Sequence, residues 1–558
     1  MRKIDTLPIG YSDVKSVIET GYYVDKTRYA QALIEKRNPI FIARPRRFGK
    51  SLFINTLATI CRGDKEIFKD YHIGKPENGY QWKKYPIIKI DFSGVSNNTP
   101  EELSSSIKIV LKEIAFSYSI KMEDATVKDT LRSLVAQLIN LADTIENKEN
   151  TKSIYQSKIV VLIDEYDAPI VNLTKGSDLE QSNIKVMKDF FMTLKSLNEY
   201  FQLTFITGVS KFSLSDVFSG ANHLSDLTID KSAAAMFGYT EQELLEVFSD
   251  HISMVTNLWS EDIGQPMTKE TVMQAITTHY NGYKFYEKGP SVYNPWSTLH
   301  FFKEGKKADY WYESGSPTML INQMLADPDR FELDDLPIDA YRHELMYTGS
   351  RNEISLKALM FQTGYLTIES YESSTGVYKL KFPNQEVEKA FTQTIQDALE
   401  RRMKDYFIST QDQIKSALQA KDIESFIIAI NIAFASIPYY ITSKTEKDYH
   451  SNLHMLLYGL NCLDGINSHV ASESPSSRGR ADIVLTIGSI VYIIEIKYKS
   501  NGKIALQQIK ENCYYISYLW KAKEIILLGI NFDQETKSID SWASETVNRE
   551  ELIKQMNT

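Results

Sequence analysis

The sequence predicts an α/β protein with a doubly wound parallel sheet in its first half, a helical or winged-helix-like middle region and a smaller α/β unit at its C-terminus. Three observations predict this. Apolar runs of strand length alternate with helix-periodic stretches through the first half. Helix periodicity dominates from Gln385 to Asn461. From Ala481 the pattern returns to strand, turn, strand, helix and strand. At 558 residues the chain exceeds what one hydrophobic core organises, so boundaries are expected at 1–285, 286–440 and 441–558.

The elements follow in order. Pro39–Ala43 is a first apolar strand, and Tyr85–Phe92 (YPIIKIDF) a second. Glu101–Tyr118 and Val127–Thr144 carry helix periodicity. Lys158–Asp164 (KIVVLID) is apolar without alternation, as a strand covered on both faces requires. A helix over Asn183–Tyr200 and a short strand over Leu203–Thr207 complete a βαβα succession. Gly282–Pro295, rich in Gly, Pro and Tyr, breaks the periodicity and ends the first domain. Gly364–Ser370 and Val377–Phe382 form a strand-like pair, and Ile423–Ala435 is a helix apolar on most faces. The last unit comprises a strand from Ala481, a turn at Gly488, a strand over Val491–Lys497, a helix near Ala505–Trp520 and a strand over Glu524–Ile530.

Composition narrows the classes. A formal net charge of −9 argues against coating nucleic acid through bulk electrostatics. It leaves room for a local basic groove, for which Arg401, Arg402, Lys404, Arg478, Arg480, Lys499 and Lys503 are candidates against a reading as solvated surface charge. The N-terminus has no apolar signal region, and no apolar run is long enough to cross a bilayer. Cys61, Cys462 and Cys513 are odd in number and widely spaced, which fits neither a disulfide framework nor a zinc cluster. These features predict a cytoplasmic protein with no membrane partner.

Chemistry enters at Ile40–Leu52 (IFIARPRRFGKSL), an apolar strand, a turn and Gly49-Lys50-Ser51 opening an apolar helix. That order suits a nucleotide phosphate site, with backbone N–H groups of the turn and helix N-terminus around the phosphates. Lys50 would reach the β- and γ-phosphates, and the Ser51 hydroxyl would join a Mg²⁺ shell. The match to G-x-x-x-x-G-K-[ST] is incomplete, because Arg44 holds the first glycine position and Pro45 removes a donor. Asp164-Glu165 at the end of a buried strand supplies the acidic pair that a P-loop NTPase needs. Asp164 would hold Mg²⁺ through its water shell, and Glu165 would polarise the attacking water. Thr207 or Ser210 could sense the γ-phosphate at the next strand tip, though a simple turn explains them equally well. Asp25-Lys26 fits a nucleotide-base pocket or, slightly better, a helix cap. No residue is identifiable as an arginine finger.

A second constellation lies near the C-terminus. Asp482 opens one strand, and Glu495 and Lys497 share a face of the next by the period of two. A hairpin turning near Gly488 would set Asp482 beside Glu495. Two carboxylates and a lysine then converge in the D…E-x-K arrangement of metal-dependent phosphodiester hydrolysis. The carboxylates would hold Mg²⁺, and Lys497 would orient water or stabilise the phosphate. Glu446 and Gln508, on the flanking helices, extend the set. His450 is read as a helix-surface or core histidine.

At this point the chain resembles a large bacterial family that joins an AAA-ATPase-like domain to a C-terminal domain of the PD-(D/E)xK nuclease superfamily. The resemblance runs nearly end to end. It rests on YYVDKTRY (22–29), RPRRFGKSL (44–52), LIDEYDAPI (162–170), GVSKFS (208–213), NGYKF (281–285), YNPW (293–296), QTGYLTI (362–368) and FPNQEV (382–387). It continues in YH (449–450), RGRADIVL (478–485), IIEIK (493–497) and QI (508–509). The resemblance implies that Arg44 is the usual form of this P-loop, so its departure from the common motif does not argue against ATP. It further implies ATP and Mg²⁺ as cofactors and a restriction-endonuclease-like C-terminal fold. Arg46, Arg47, Phe48, Gly49, Lys50, Ser51, Leu52 and Asp164 are the expected nucleotide-site residues, with Ser51 and Asp164 toward the metal. Glu165, Asp482, Glu495, Lys497 and Gln508 are the expected catalytic residues, with Asp482 and Glu495 also metal ligands.

The leading functional expectation is an ATP-driven or ATP-regulated nuclease acting on DNA before RNA, a homo-oligomer being one option for its assembly. The alternative is a nucleotide-switched regulatory protein whose nuclease-like domain only binds nucleic acid. A third reading is ATP hydrolysis that moves protein clients. Intact Asp482, Glu495 and Lys497 favour the first; the acidic net charge and missing arginine finger favour the second.

Overall fold

The computed structural model describes residues 6–148, 157–171, 173, 176–211, 224–311, 336–349, 354–391, 407–435, 446–458, 460, 468–476, 479–533 and 535–548. The chain divides into two compact units, 1–319 with 339–388, and 320–338 with 389–558.

The first unit is built on a parallel sheet of β1 (Pro39–Ala43), β2 (Ile87–Asp91), β3 (Ile159–Asp164), β4 (Phe201–Gly208) and β5 (Ser225–Asp226), in the order β2-β3-β4-β1-β5. Every residue of β3 and of β4 is buried, which explains their unbroken apolar character. Helices Pro100–Ser117, Val127–Lys148 and Asp178–Ser196 bury Leu103, Ile107, Leu111, Leu134, Leu138, Met187 and Phe190 in a core shared with β3. Two of these helices begin at side-chain caps: Thr99 accepts from Glu102 N–H, and Ser177 from Glu180 N–H. All strands being parallel, β1, β3 and β4 present their carboxyl ends at one edge, where such sheets form ligand crevices. Because β4 lies between β1 and β3, its tip stands between the lysine loop and the acidic pair.

A second core in this unit gathers Tyr22, Phe248, Ile252, Tyr280, Tyr293 and Phe302. A small sheet of β6 (Ile338–Tyr341), β7 (Thr367–Glu372) and β8 (Val377–Lys381), in the order β6-β8-β7, accompanies the helix Leu356–Thr363. The strand expected from Gly364 begins three residues later, because Gly364 caps that helix with φ +91°. Gly282–Pro295 also joins this unit's packing: Tyr283 and Phe285 stand edge-on to Phe48 at 4.7 and 5.4 Å.

The second unit carries a mixed sheet of β9 (Ser468–Ser476), β10 (Gly479–Ile487), β11 (Ile490–Tyr498), β12 (Glu524–Phe532) and β13 (Ile539–Thr546), in the order β13-β12-β11-β10-β9. Only β11 and β12 run parallel, joined by the helix Gly502–Glu511. That helix stops well short of the expected Trp520, because Cys513 takes φ +53° and turns the chain. Helices Phe407–Ala420, Ile423–Ala435 and Glu446–Tyr458 precede the sheet. Arg401, Arg402, Lys404, Cys462 and Arg478 lie outside the described residues, as does the side chain of Glu446.

Candidate functional sites

The phosphate loop leaves β1 and enters the helix Lys50–Cys61 through Gly49, whose φ of +85° accounts for the glycine. The Lys50 ammonium is buried and donates to the carbonyls of Arg44 and Pro45, each at 3.0 Å. Burial pushes its pKa below the usual lysine range, against the pull of Asp164, Glu165 and Asp167. Arg46, Arg47, Lys50, Ser51 and Glu165, with Tyr11, Tyr239 and Trp296, line a cavity of about 430 Å³. Phe48, Gly49 and Leu52 also border it. Arg47, at φ +67°, lays its guanidinium 4.0 Å above the Trp296 ring.

Arg44 does something else. Its side chain is fully buried and donates from Nη1 to the carbonyls of Ala43 and Thr228, each at 2.8 Å, and from Nη2 to that of Ala233 at 3.0 Å. Its guanidinium lies 4.1 Å from the centre of the Phe285 ring. Burial lowers its pKa to about 9. The charge at position 44 thus braces the loop against 228–233, whereas Arg46 and Arg47 face the cavity.

β3 ends at Asp164, and Glu165 just beyond it lines the cavity. Asp164 is buried, accepts the Glu165 N–H at 3.1 Å and is hydrogen-bonded by Ser51. Desolvation raises both carboxyl pKa values, and Lys50 opposes the shift at each. Lys50, Ser51, Asp164 and Glu165 are therefore brought together. A Mg²⁺–nucleotide fits this donor set, with Ser51 and Asp164 on the metal side.

The residue pattern leaves Asp25-Lys26 open between a base pocket and a helix cap. Asp25 accepts from Thr27 N–H, Thr27 Oγ1 and His72 N–H at 2.6–2.8 Å, an Asx turn at the start of the helix Thr27–Lys36, whose N-cap position is Lys26. Lys26 borders the cavity, but its ammonium is held by Glu243 at 2.6 and 2.7 Å and by the Ala235 carbonyl at 2.9 Å. Thr207 is fully buried, with no partner for its hydroxyl. The Ser210 hydroxyl donates to Asp167 at 2.8 Å. Sequence reasoning missed Asp167, although it ends the same D-E-Y-D run.

In the second unit, β10 pairs antiparallel with β11, with Ile483 opposite Ile494. Continuing that register sets Asp482 across from Glu495, and the Ile496 N–H donates to Asp482 Oδ2 at 2.7 Å. Glu495 is 1% exposed. Its Oε1 receives the Lys497 ammonium at 3.3 Å and also the Gln508 amide, its buried Oε2 has no partner of hydrogen-bond geometry, and the Asp482 N–H adds to the hold on the carboxylate. Burial first, and then Asp482, push the Glu495 carboxyl up to about 7, with Lys497 opposing. A buried, unpaired carboxylate oxygen beside a second carboxylate is an arrangement that a hard cation satisfies, so the donors present fit Mg²⁺. Asp482, Glu495, Lys497 and Gln508 thus converge. His450, read from sequence as a surface or core residue, instead brings Nε2 to 2.8 Å from the Asp482 carbonyl oxygen. Its one-turn spacing from Glu446 was the available signal.

Residues 8–218 match the family model of a predicted AAA-ATPase, and residues 446–542 match that of the PD-(D/E)XK nuclease superfamily. A protein of Azotobacter chroococcum mcd 1, described as an uncharacterized protein in the vnfD 5' region, is 28% identical over 559 residues. The similarity spans 97% of this chain and 99% of that protein, and so covers both domains. The chain therefore pairs an AAA-ATPase-like domain with a PD-(D/E)XK nuclease-like domain.

Proposed function

We propose that this protein binds and hydrolyses ATP and uses its C-terminal domain as a Mg²⁺-dependent nuclease, acting on DNA before RNA, in the cytoplasm. The observation that carries the reading is the buried, unpaired Oε2 of Glu495 beside Asp482, with Lys497 and Gln508 fixed on the other oxygen. Most buried carboxylate oxygens are satisfied, and this one stands beside a second carboxylate, which is the pairing a cation bridges. Asp482 and Glu495 would hold Mg²⁺, which when bound supplies an acidified water and neutralises phosphate charge. Lys497 then orients the nucleophile and meets the charge that grows on the scissile phosphate. Gln508 keeps the Glu495 carboxylate from rotating.

At the other site, the Lys50 ammonium already rests on the concave side of the phosphate loop, where phosphate oxygens can replace the carbonyls of Arg44 and Pro45. Glu165 is held at the cavity edge with a raised pKa, suited to taking a hydrogen bond from water. Among the described residues no helix is long and apolar enough to cross a membrane, which suits this setting.

The test is incubation of the full chain with Mg²⁺ and plasmid or single-stranded DNA, beside Asp482→Ala. Cleavage by the unaltered chain and its loss in the variant are expected. Equal cleavage by the two would remove the nuclease assignment.

A further inference from the structure

The tip of β4, residues 207–211, is fastened from several sides. From the acidic run, Tyr166 N–H donates to the Thr207 carbonyl at 3.1 Å, and the Tyr166 hydroxyl to the Ser210 carbonyl at 3.0 Å. Asp167 Oδ2 accepts the N–H groups of Val209 and Ser210 at 3.2 and 3.0 Å and the Ser210 hydroxyl. From the phosphate loop, Arg44 N–H donates to the Gly208 carbonyl at 3.1 Å. These bonds tie the strand tip to the two halves of the nucleotide site.

A further fastening comes from far along the chain. Gln362, 3% exposed in the last turn of the helix Leu356–Thr363, accepts the Lys211 N–H at 2.8 Å through Oε1. Its Nε2 donates to the carbonyls of Leu345 and Tyr347 at 3.1 and 3.2 Å. The amide is thereby fixed in one orientation. The Lys211 ammonium is ion-paired with Asp226, and Asp226 accepts the Thr228 N–H at 2.9 Å. Thr228 in turn binds both the Ala43 N–H and the Arg44 guanidinium, which closes a ring back to the phosphate loop. Two residues beyond Gln362, a Cβ on Gly364 would lie 2.6 Å from Pro45, so the same helix end abuts the phosphate loop.

We propose that Gln362 is a positioning residue for ATP hydrolysis: it holds the β4 tip, through Lys211, in register with Glu165 and the phosphate loop. This rests on the ATP reading above. The β4 tip lies between Lys50 and Glu165, where small displacements of a hydrolytic water are costly. Gln362 has no place in the binding cavity, so it acts on turnover and not on nucleotide affinity.

The experiment uses the full chain and MgATP, with a fluorescent ATP analogue as the binding probe. Gln362→Met removes the amide at similar volume. The expected result is a fall in kcat of about tenfold or more with KM and probe affinity within about twofold. Gln362→Glu keeps an acceptor for Lys211 N–H but sets a carboxyl oxygen against the Leu345 and Tyr347 carbonyls, so it recovers none of that loss. Gln362→Asn retracts the same amide by one methylene and reads the same split should the Met variant not fold. An unchanged kcat overturns the positioning role, as does a kcat that falls in proportion to probe affinity and melting temperature. Turnover in the parent chain that survives Lys50→Ala overturns the ATP reading itself, and this proposal with it. Lys50-dependent turnover untouched at Gln362 overturns the positioning role alone.

Discussion

At the scale of single residues, identity at a motif position says less than where the side chain goes. Arg44 occupies the first glycine position of the phosphate-loop pattern, and its guanidinium satisfies three carbonyls away from the cavity. Restoring the common motif by Arg44→Gly should therefore harm the protein. It strands those carbonyls in a buried space and is expected to cost about 3 kcal/mol or more in denaturant unfolding. A variant as stable as the parent would contradict the bracing role. Glu386 offers a second residue-scale prediction. It is buried, accepts the Trp311 N–H at 2.8 Å, and burial raises its carboxyl from 4.5 to about 8. Between those values the unfolded chain releases the proton while the folded chain keeps it, so stability falls as pH rises through that window and is level on either side. The total is on the order of 5 kcal/mol at most. Glu386→Gln retains the acceptor and removes the ionisation. Its melting temperature should exceed the parent's well above the window, near pH ~8.5, and the two should converge at its lower edge.

At the scale of elements, the nuclease-like site depends on how closely one helix approaches the sheet. Gly529 on β12 pairs with Glu495 on β11. A Cβ at Gly529 would lie 2.2 Å from the Gly502 carbonyl oxygen and the Leu506 nitrogen. The helix Gly502–Glu511 thus rests its backbone directly on the strand beside the site, which lets Gln508 reach Glu495. Gly529→Ala should push the helix outward, lower stability by about 1–3 kcal/mol and reduce cleavage more than it reduces nucleic-acid binding. Wild-type cleavage in that variant would show that the helix position is not critical. Elements are also the scale at which the sequence is most readable. The unbroken apolar runs of β3 and β11 and the alternation that joins Glu495 to Lys497 are legible, because burial on a sheet leaves a local pattern. The link from Gln362 to Lys211 is not, since 151 residues separate partners that meet through tertiary packing alone. Nor can spacing show that Arg44 turns from the phosphates or that His450 reaches the Asp482 carbonyl. QTGYLTI and YH stand out as motifs, but their contacts need the fold. Element ends are misplaced from sequence where a single residue takes positive φ, as at the strand start expected at Gly364 and the helix expected to run past Cys513.

At the scale of the whole molecule, the chain comprises two units, each with a candidate site of its own. The first sets Lys50, Ser51 and Glu165 on a cavity of about 430 Å³, with Asp164 hydrogen-bonded to Ser51. The second gathers Asp482, Glu495, Lys497 and Gln508 on a sheet of its own. Under the proposed function, nucleic acid would meet local basic residues on a chain of net charge −9, so binding should weaken steeply with salt. We propose that the AAA-ATPase-like half controls the nuclease-like half. The decisive quantity is the initial rate of DNA cleavage with Mg²⁺, with and without ATP, in the parent chain, Lys50→Ala and Asp482→Ala. Under such control, Asp482→Ala does not cleave, and ATP changes the rate in the parent but not in Lys50→Ala. Cleavage that ignores ATP and is equal in the parent and Lys50→Ala would show instead that the two halves work independently.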